Sequence, residues 1–237
     1  MLYKQIIDDL FSLASPEKAQ HYARFFKTEK GGYGEGDVFI GLTNPQMRSV
    51  AKQYFKLIDF EDIQKLLENE YHEVRLTAYL ILVAQYEKAK TFEERQKIAL
   101  FYLKNKEFAN NWDLVDLTAY KILGHYTFEI ENTEILQKLS DNESLWDKRI
   151  AIISTMFWVK KDQYEPTKTF VLNNLTHPHD LMHKANGWLL REMGKRNEQE
   201  LRDFLEAHHH NMPRTTLRYA IEKFSETDRQ YFLKLGK

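Results

Sequence analysis

The sequence predicts an all-α protein, a curved solenoid of two-helix repeats with a concave groove. Three observations carry that expectation. Apolar residues recur at intervals of three and four along nearly the whole chain. Only 5 Pro and 9 Gly interrupt 237 residues, so the connections are short. Five segments of one form, each a polar opening, a charge one turn in and then an apolar run, recur at near-regular spacing.

The helix starts follow in order. MLYKQIIDDLFSLA is amphipathic and carries Asp8 and Asp9 inside its apolar period, so it reads as a packed helix rather than a signal peptide. Proline follows Ser15, Asn44 and Met212, which marks first turns there, and Thr91-Phe92-Glu93-Glu94 has the form of a capping box. This reading gives about a dozen helices and no convincing alternating strand. Between the helices opening at Pro16 and Asn44 lies TEKGGYGEGDVFIG, expected to be a flexible, glycine-rich surface loop over 29–43 with Glu29, Glu35 and Asp37. No apolar run reaches the ~20 residues that cross a bilayer. A single domain over 1–237, monomeric, soluble and cytoplasmic, is expected.

The five segments are YHEVRLTAYLIL, NWDLVDLTAYKIL, LWDKRIAIISTMFWV, HDLMHKANGWLLREMGK and MPRTTLRYAIEKF. They align on Arg75, Asp116, Arg149, Lys184 and Arg218, at separations of 41 (116−75), 33 (149−116), 35 (184−149) and 34 (218−184). In stacked helix pairs, corresponding positions form a stripe along one side. Four cations in such a stripe matter because Lys plus Arg (34) nearly balance Asp plus Glu (35), and residues 141 to 237 carry 16 basic and 14 acidic side chains. A polyanion site must therefore come from charge gathered on one surface. A stripe of this kind would neutralise phosphates of duplex DNA or RNA. The alternative is that each cation serves its own helix start or a neighbouring carboxylate.

Asp116 is the exception in the stripe. It shares a helix face with Trp112, four residues earlier, while Trp188 lies four after Lys184 and Arg191 three after Trp188. Trp146 flanks Arg149, and Trp158, inside AIISTMFWV, belongs to the core. A carboxylate flanked by Arg75 and Arg149 is expected to stay ionised. It repels phosphate, so it is either structural or faces positive charge on a substrate. The sugar of a breaking N-glycosidic bond passes through such a cation. At ~4 Å and an effective dielectric of ~20 the attraction is about 4 kcal/mol, which is on the order of 10³ in rate if it is felt only in the transition state. Indole faces beside it suit a cationic alkylated purine.

These residues resemble the AlkD-like DNA glycosylases, a family of HEAT-like-repeat DNA alkylation repair proteins. The likeness runs through most of the chain and is strongest in NNWDLVD (110 to 116), LWDKRIAI (145 to 152) and HKANGWLLRE (183 to 192). It implies a right-handed α-α superhelix, no metal and no cofactor, and duplex DNA carrying alkylated purines as the partner. By matching motif, Trp112, Asp116 and Trp188 take the family's catalytic positions and Arg149 its active-site arginine. TNPQMRSVAK resembles a backbone-contacting helix start, which makes Asn44 and Arg48 DNA-binding candidates with Arg191, Lys184 and Arg218. The loop over 29–43 departs from the family pattern in the region that grips the duplex. A non-catalytic solenoid binding structured nucleic acid or a protein partner is the alternative function.

Other chemistries have less support. GGYGEGD lacks the strand and spacing of a nucleotide-binding loop. The histidines at 177, 179 and 183 and at 208 to 210 have no carboxylate at ligand spacing. With no cysteine, disulfides, thiolate ligands and thiol nucleophiles are excluded.

Overall fold

Helices begin where the caps predict. In the computed structural model, which describes residues 1–235, Ser15 accepts the amide N–H of Lys18 ahead of α2 (Pro16–Phe25). Thr91 and Glu94 form the reciprocal capping box of α6 (Phe92–Lys104). The last two residues of the expected 1–237 domain lie outside the described residues. The chain is all-α; among the described residues the only β pairing is one isolated bridge, Val38 with Tyr71. It divides into two compact units, Met1–Thr118 and the residues from Ala119 onward.

In the first unit, α1 (Leu2–Ser12) packs on α3 (Asn44–Tyr54) and α4 (Phe60–Leu67), and both of these pack on α5 (His72–Lys88). Helix α5 is buried on all sides from His72 to Val83, which explains why its sequence has no polar stripe. Helix α6 covers its other side, and a 3₁₀ turn at Lys106–Phe108 leads to the short α7 (Trp112–Asp116).

The second unit opens with a π-helical turn, Tyr120–Gly124, and α8 (His125–Glu129). Helix α10 (Leu145–Val159) is its centre, flanked by α9 (Glu134–Asp141), α11 (Glu165–Asn173) and α12 (Asp180–Arg196). Helix α12 in turn packs on α13 (Glu198–His208) and α14 (Arg214–Ala220), and α15 (Glu226–Leu235) is the last helix among the described residues. Gly187 lets α12 and α14 approach: a Cβ there would sit 2.4 Å from Tyr219 Cβ and 2.6 Å from the Thr216 carbonyl oxygen. Thr216 Oγ1 also donates to the His183 carbonyl, at 3.1 Å.

Two expectations are corrected. The helix predicted over 111–123 is not one regular helix, since α7 stops at Asp116 and a π turn follows. Thr118 Oγ1 bonds back to the Leu114 carbonyl at 2.5 Å and also meets the Tyr102 hydroxyl, a side-chain contact that competes with the helix ladder. The stretch 29–43 is not a loose surface loop along its length. Asp37, Phe39, Ile40, Gly41 and Leu42 are buried, and the Glu73 carboxylate accepts the N–H groups of Ile40 (2.9 Å), Gly41 (2.8 Å) and Leu42 (3.1 Å). Gly41 has φ +91°, and a Cβ would lie 2.1 Å from the Ser15 carbonyl oxygen, so only glycine fits.

Candidate active site

Helix α7 explains how Trp112 and Asp116 come to share a face. Asn111 caps it, its side-chain oxygen accepting the Trp112 N–H at 2.8 Å. Leu114 and Val115 are buried, which turns the opposite side outward and leaves Trp112 and Asp116 half-buried, four residues apart. Burial pushes the Tyr102 hydroxyl pKa up, and the negative charge of Asp116 adds to that rise.

The indole rests on an aromatic pile. Trp112 stacks on Phe26 (centroids 5.3 Å, 17° between planes), Phe26 on Phe39 (5.0 Å, 20°), and Phe39 on the His72 ring (4.6 Å, 25°). Phe25, exposed, meets the indole edge-on at 6.0 Å.

Below the pile lies a buried charge network. His72 Nδ1 meets Asp37 Oδ2 at 3.1 Å and its Nε2 meets Asp113 Oδ2 at 2.9 Å. Asn111 Nδ2 donates to Asp37 Oδ2 at 3.0 Å, and the Arg75 guanidinium pairs with the other Asp37 oxygen. Burial disfavours charge on His72, but the Asp113 and Asp37 carboxylates outweigh it and hold its pKa up to about 9. Asp37 is held below its usual value, since His72, Arg75 and Asn111 overcome the cost of its burial.

Arg75 is therefore not an open member of a cationic stripe. It is buried, and besides Asp37 it donates to the carbonyls of Asn69 (3.0 Å) and Glu70 (2.8 Å). Sequence reasoning missed His72, Glu73 and Asp37. The signal was three polar residues, His72, Glu73 and Arg75, opening a helix that is otherwise apolar.

The other candidates stand as follows. Asn44 and Arg48 are exposed in the first turns of α3, and Arg48 forms no ion pair among the described residues. In the second unit, Arg149 is buried with its Nη1 donating to the Leu181 carbonyl at 2.5 Å, so it does not present an open cationic surface. Lys184, Trp188 and Arg191 fall on one side of α12 and are all half-buried. Lys184 pairs with Asp180 at 2.8 Å, Trp188 Nε1 donates to Glu192 at 3.2 Å, and Arg191 pairs with Glu222. Arg218 is exposed on α14, and like Arg48 it forms no ion pair among the described residues. Trp158 is in the core, its Nε1 donating to Thr127 Oγ1 at 3.3 Å.

The histidines organise a helix start. Leu181 N donates to His179 Nδ1 at 3.1 Å, and His183 Nε2 meets the His177 carbonyl at 2.6 Å. Among the described residues no group of three or more His, Asp or Glu is placed to hold a metal ion. No helix among them is long and apolar enough to cross a membrane.

Comparison with known proteins bears on this arrangement. No curated protein matches the chain. Among solved structures, one described as a predicted DNA alkylation repair enzyme from Enterococcus faecalis superposes with a TM-score of 0.68 over 90% of this chain and 97% of its own, at 18% identity. At that identity the likeness shows a shared fold. The model of a family described as DNA alkylation repair enzyme matches residues 6–224, which covers α7 and its Trp-Asp pair as well as α10, α12 and α14. This chain belongs to the AlkD-like family of DNA alkylation repair enzymes.

Proposed function

We propose that the protein is a DNA glycosylase that hydrolyses the N-glycosidic bond of cationic N3- and N7-alkylpurines in duplex DNA. The observation that carries this is the half-buried Trp112 and Asp116 on the outward face of α7, braced from below by stacked rings. An alkylated purine already bears positive charge and leaves without a separate general acid. Asp116 stabilises the sugar cation left behind and orients the attacking water. Trp112 offers its π face to the cationic base. Trp188 and Arg149 take their roles from the family resemblance alone, as its second active-site tryptophan and its active-site arginine. Asn44, Arg48, Lys184, Arg191 and Arg218 are assigned to the DNA backbone.

The buried state of Asp37 removes one objection to this reading. An acidic loop would repel DNA, but Asp37 is neutralised by His72 and Arg75, and Glu29 and Glu35 are the loop acids left exposed. A second reading, a non-catalytic solenoid for structured nucleic acid or a protein partner, draws support from Arg149 being buried and from the ion pairs at Lys184 and Arg191.

Incubating alkylated duplex DNA with wild type and Asp116→Asn, and measuring free N3- and N7-alkylpurine, separates the two. We expect release by the wild type and a loss on the order of 10³ in rate for the variant. Absence of release with retention of DNA leaves the nucleic-acid scaffold. Absence of both leaves the protein partner.

A further inference from the structure

His72 is fully buried, yet every polar atom of its ring is committed and its face is covered. It reaches Trp112 by two routes. One runs through Asp113, the residue next to Trp112 on α7, by the 2.9 Å contact from Nε2. The other runs through the rings of Phe39 and Phe26 to the indole itself. A third contact converges on the same place: Asn111 accepts the Trp112 N–H and donates to the Asp37 oxygen that His72 holds.

We propose that His72 is a positioning residue: clamped between Asp37 and Asp113, it sets the plane and depth of the Trp112 indole and, through α7, the attitude of Asp116. This also gives the stretch around Asp37 a task, since it supplies one jaw of the clamp. Only the consequence for catalysis rests on the glycosylase reading; the positioning is a property of the chain. Charge-assisted hydrogen bonds at both ring nitrogens hold the imidazole more rigidly than neutral ones. A cationic ring against Phe39 adds attraction along the pile. The groups facing His72 are Asp37 from the 37–42 segment with Arg75 behind it, Asp113 and Asn111 at α7, and the rings of Phe39 and Phe26. Both carboxylates favour its protonated form, so the clamp is closed at neutral pH and opens in the alkaline range.

The test uses the full chain labelled with 5-fluorotryptophan, the Trp112 resonance being assigned with Trp112→Phe. In wild type this resonance moves as the pH is raised, with a midpoint near pH 9, and in His72→Gln it is displaced at neutral pH and no longer moves. The resonances of Trp146, Trp158 and Trp188 stay in place in that variant. On alkylated duplex, single-turnover base release by His72→Gln falls about tenfold or more while the duplex Kd changes less than about twofold, because orientation rather than binding is lost. Should His72→Gln not fold, Asp113→Asn keeps the shape of the clamp and is expected to displace the same resonance and lower its midpoint. An unmoved Trp112 resonance in a folded variant, or a flat wild-type resonance across the alkaline range, overturns the proposal. If wild type releases no base at all, the glycosylase reading fails, and the resonance still decides the positioning.

Discussion

At the residue scale, the buried cluster of Asp37, His72, Arg75 and Asp113 has consequences that can be measured without substrate. The folded pKa of His72, about 9, lies above its ordinary 6.5. Its contribution to stability is therefore complete below pH 6.5 and is lost as pH rises through about 9. The difference, 9 − 6.5 = 2.5, corresponds to on the order of 3 kcal/mol. Asp37 acts in the opposite sense: its contribution is present above its ordinary 3.8 and fades as pH falls below it. Thermal melts should give a Tm that declines between pH 6.5 and 9 in wild type and much less in His72→Gln. Asp37→Ala takes one carboxylate away from two buried cations, and denaturant titration should show a loss of about 3–5 kcal/mol. A loss under about 1 kcal/mol would mean that His72 and Arg75 find other partners. These residues were not legible in the sequence as a cluster, because Asp37 lies 35 residues before His72 and Asp113 lies 41 after it. Trp112 and Asp116 were legible as a pair because one turn of helix joins them.

At the scale of elements, the caps and the central helices follow from local chemistry, while the close approaches do not. Thr91 and Glu94 announce α6 within four residues, and the capping box forms. Gly187 gives no such warning; inside HKANGWLLRE it reads as a weak helix position, and only its contact with α14 explains it. A methyl group there meets the Thr216 backbone at 2.6 Å, so α12 and α14 must separate. Gly187→Ala should cost about 1–3 kcal/mol by overpacking, against a gain of up to about 1 kcal/mol if helix propensity alone governed the site. The sign of the change in a urea titration decides between them. The stripe of aligned charges shows the same division. Arg75 holds the fourth position of α5, and Asp116, Arg149, Lys184 and Arg218 hold the fifth of α7, α10, α12 and α14, where Asp116 ends its short helix and Arg218 lies in the last turn. Their exposure nevertheless runs from buried (Arg75, Arg149) through half-buried (Asp116, Lys184) to exposed (Arg218), because each helix start meets different neighbours.

At the scale of the whole molecule, the near-neutral net charge of −1 places the burden of any DNA binding on local cations. If Arg48 and Arg218 each contact a phosphate, replacing either with Ala should lower the slope of log K against log salt by about 1, uniformly across DNA sequences. Fluorescence anisotropy over a salt series measures this, and an unchanged slope removes that residue from the interface. The all-α repeat architecture was determined by the sequence itself, since periodicity and caps act over single turns and helix pairs bury what those turns leave apolar. The motifs carrying the family likeness were equally legible, being contiguous in the chain. Which charges face water and which lie inside was decided only by tertiary structure, along with the fate of the 37–42 stretch. Burial and pairing depend on groups brought together from distant points of the chain, and no local pattern of residues records that encounter.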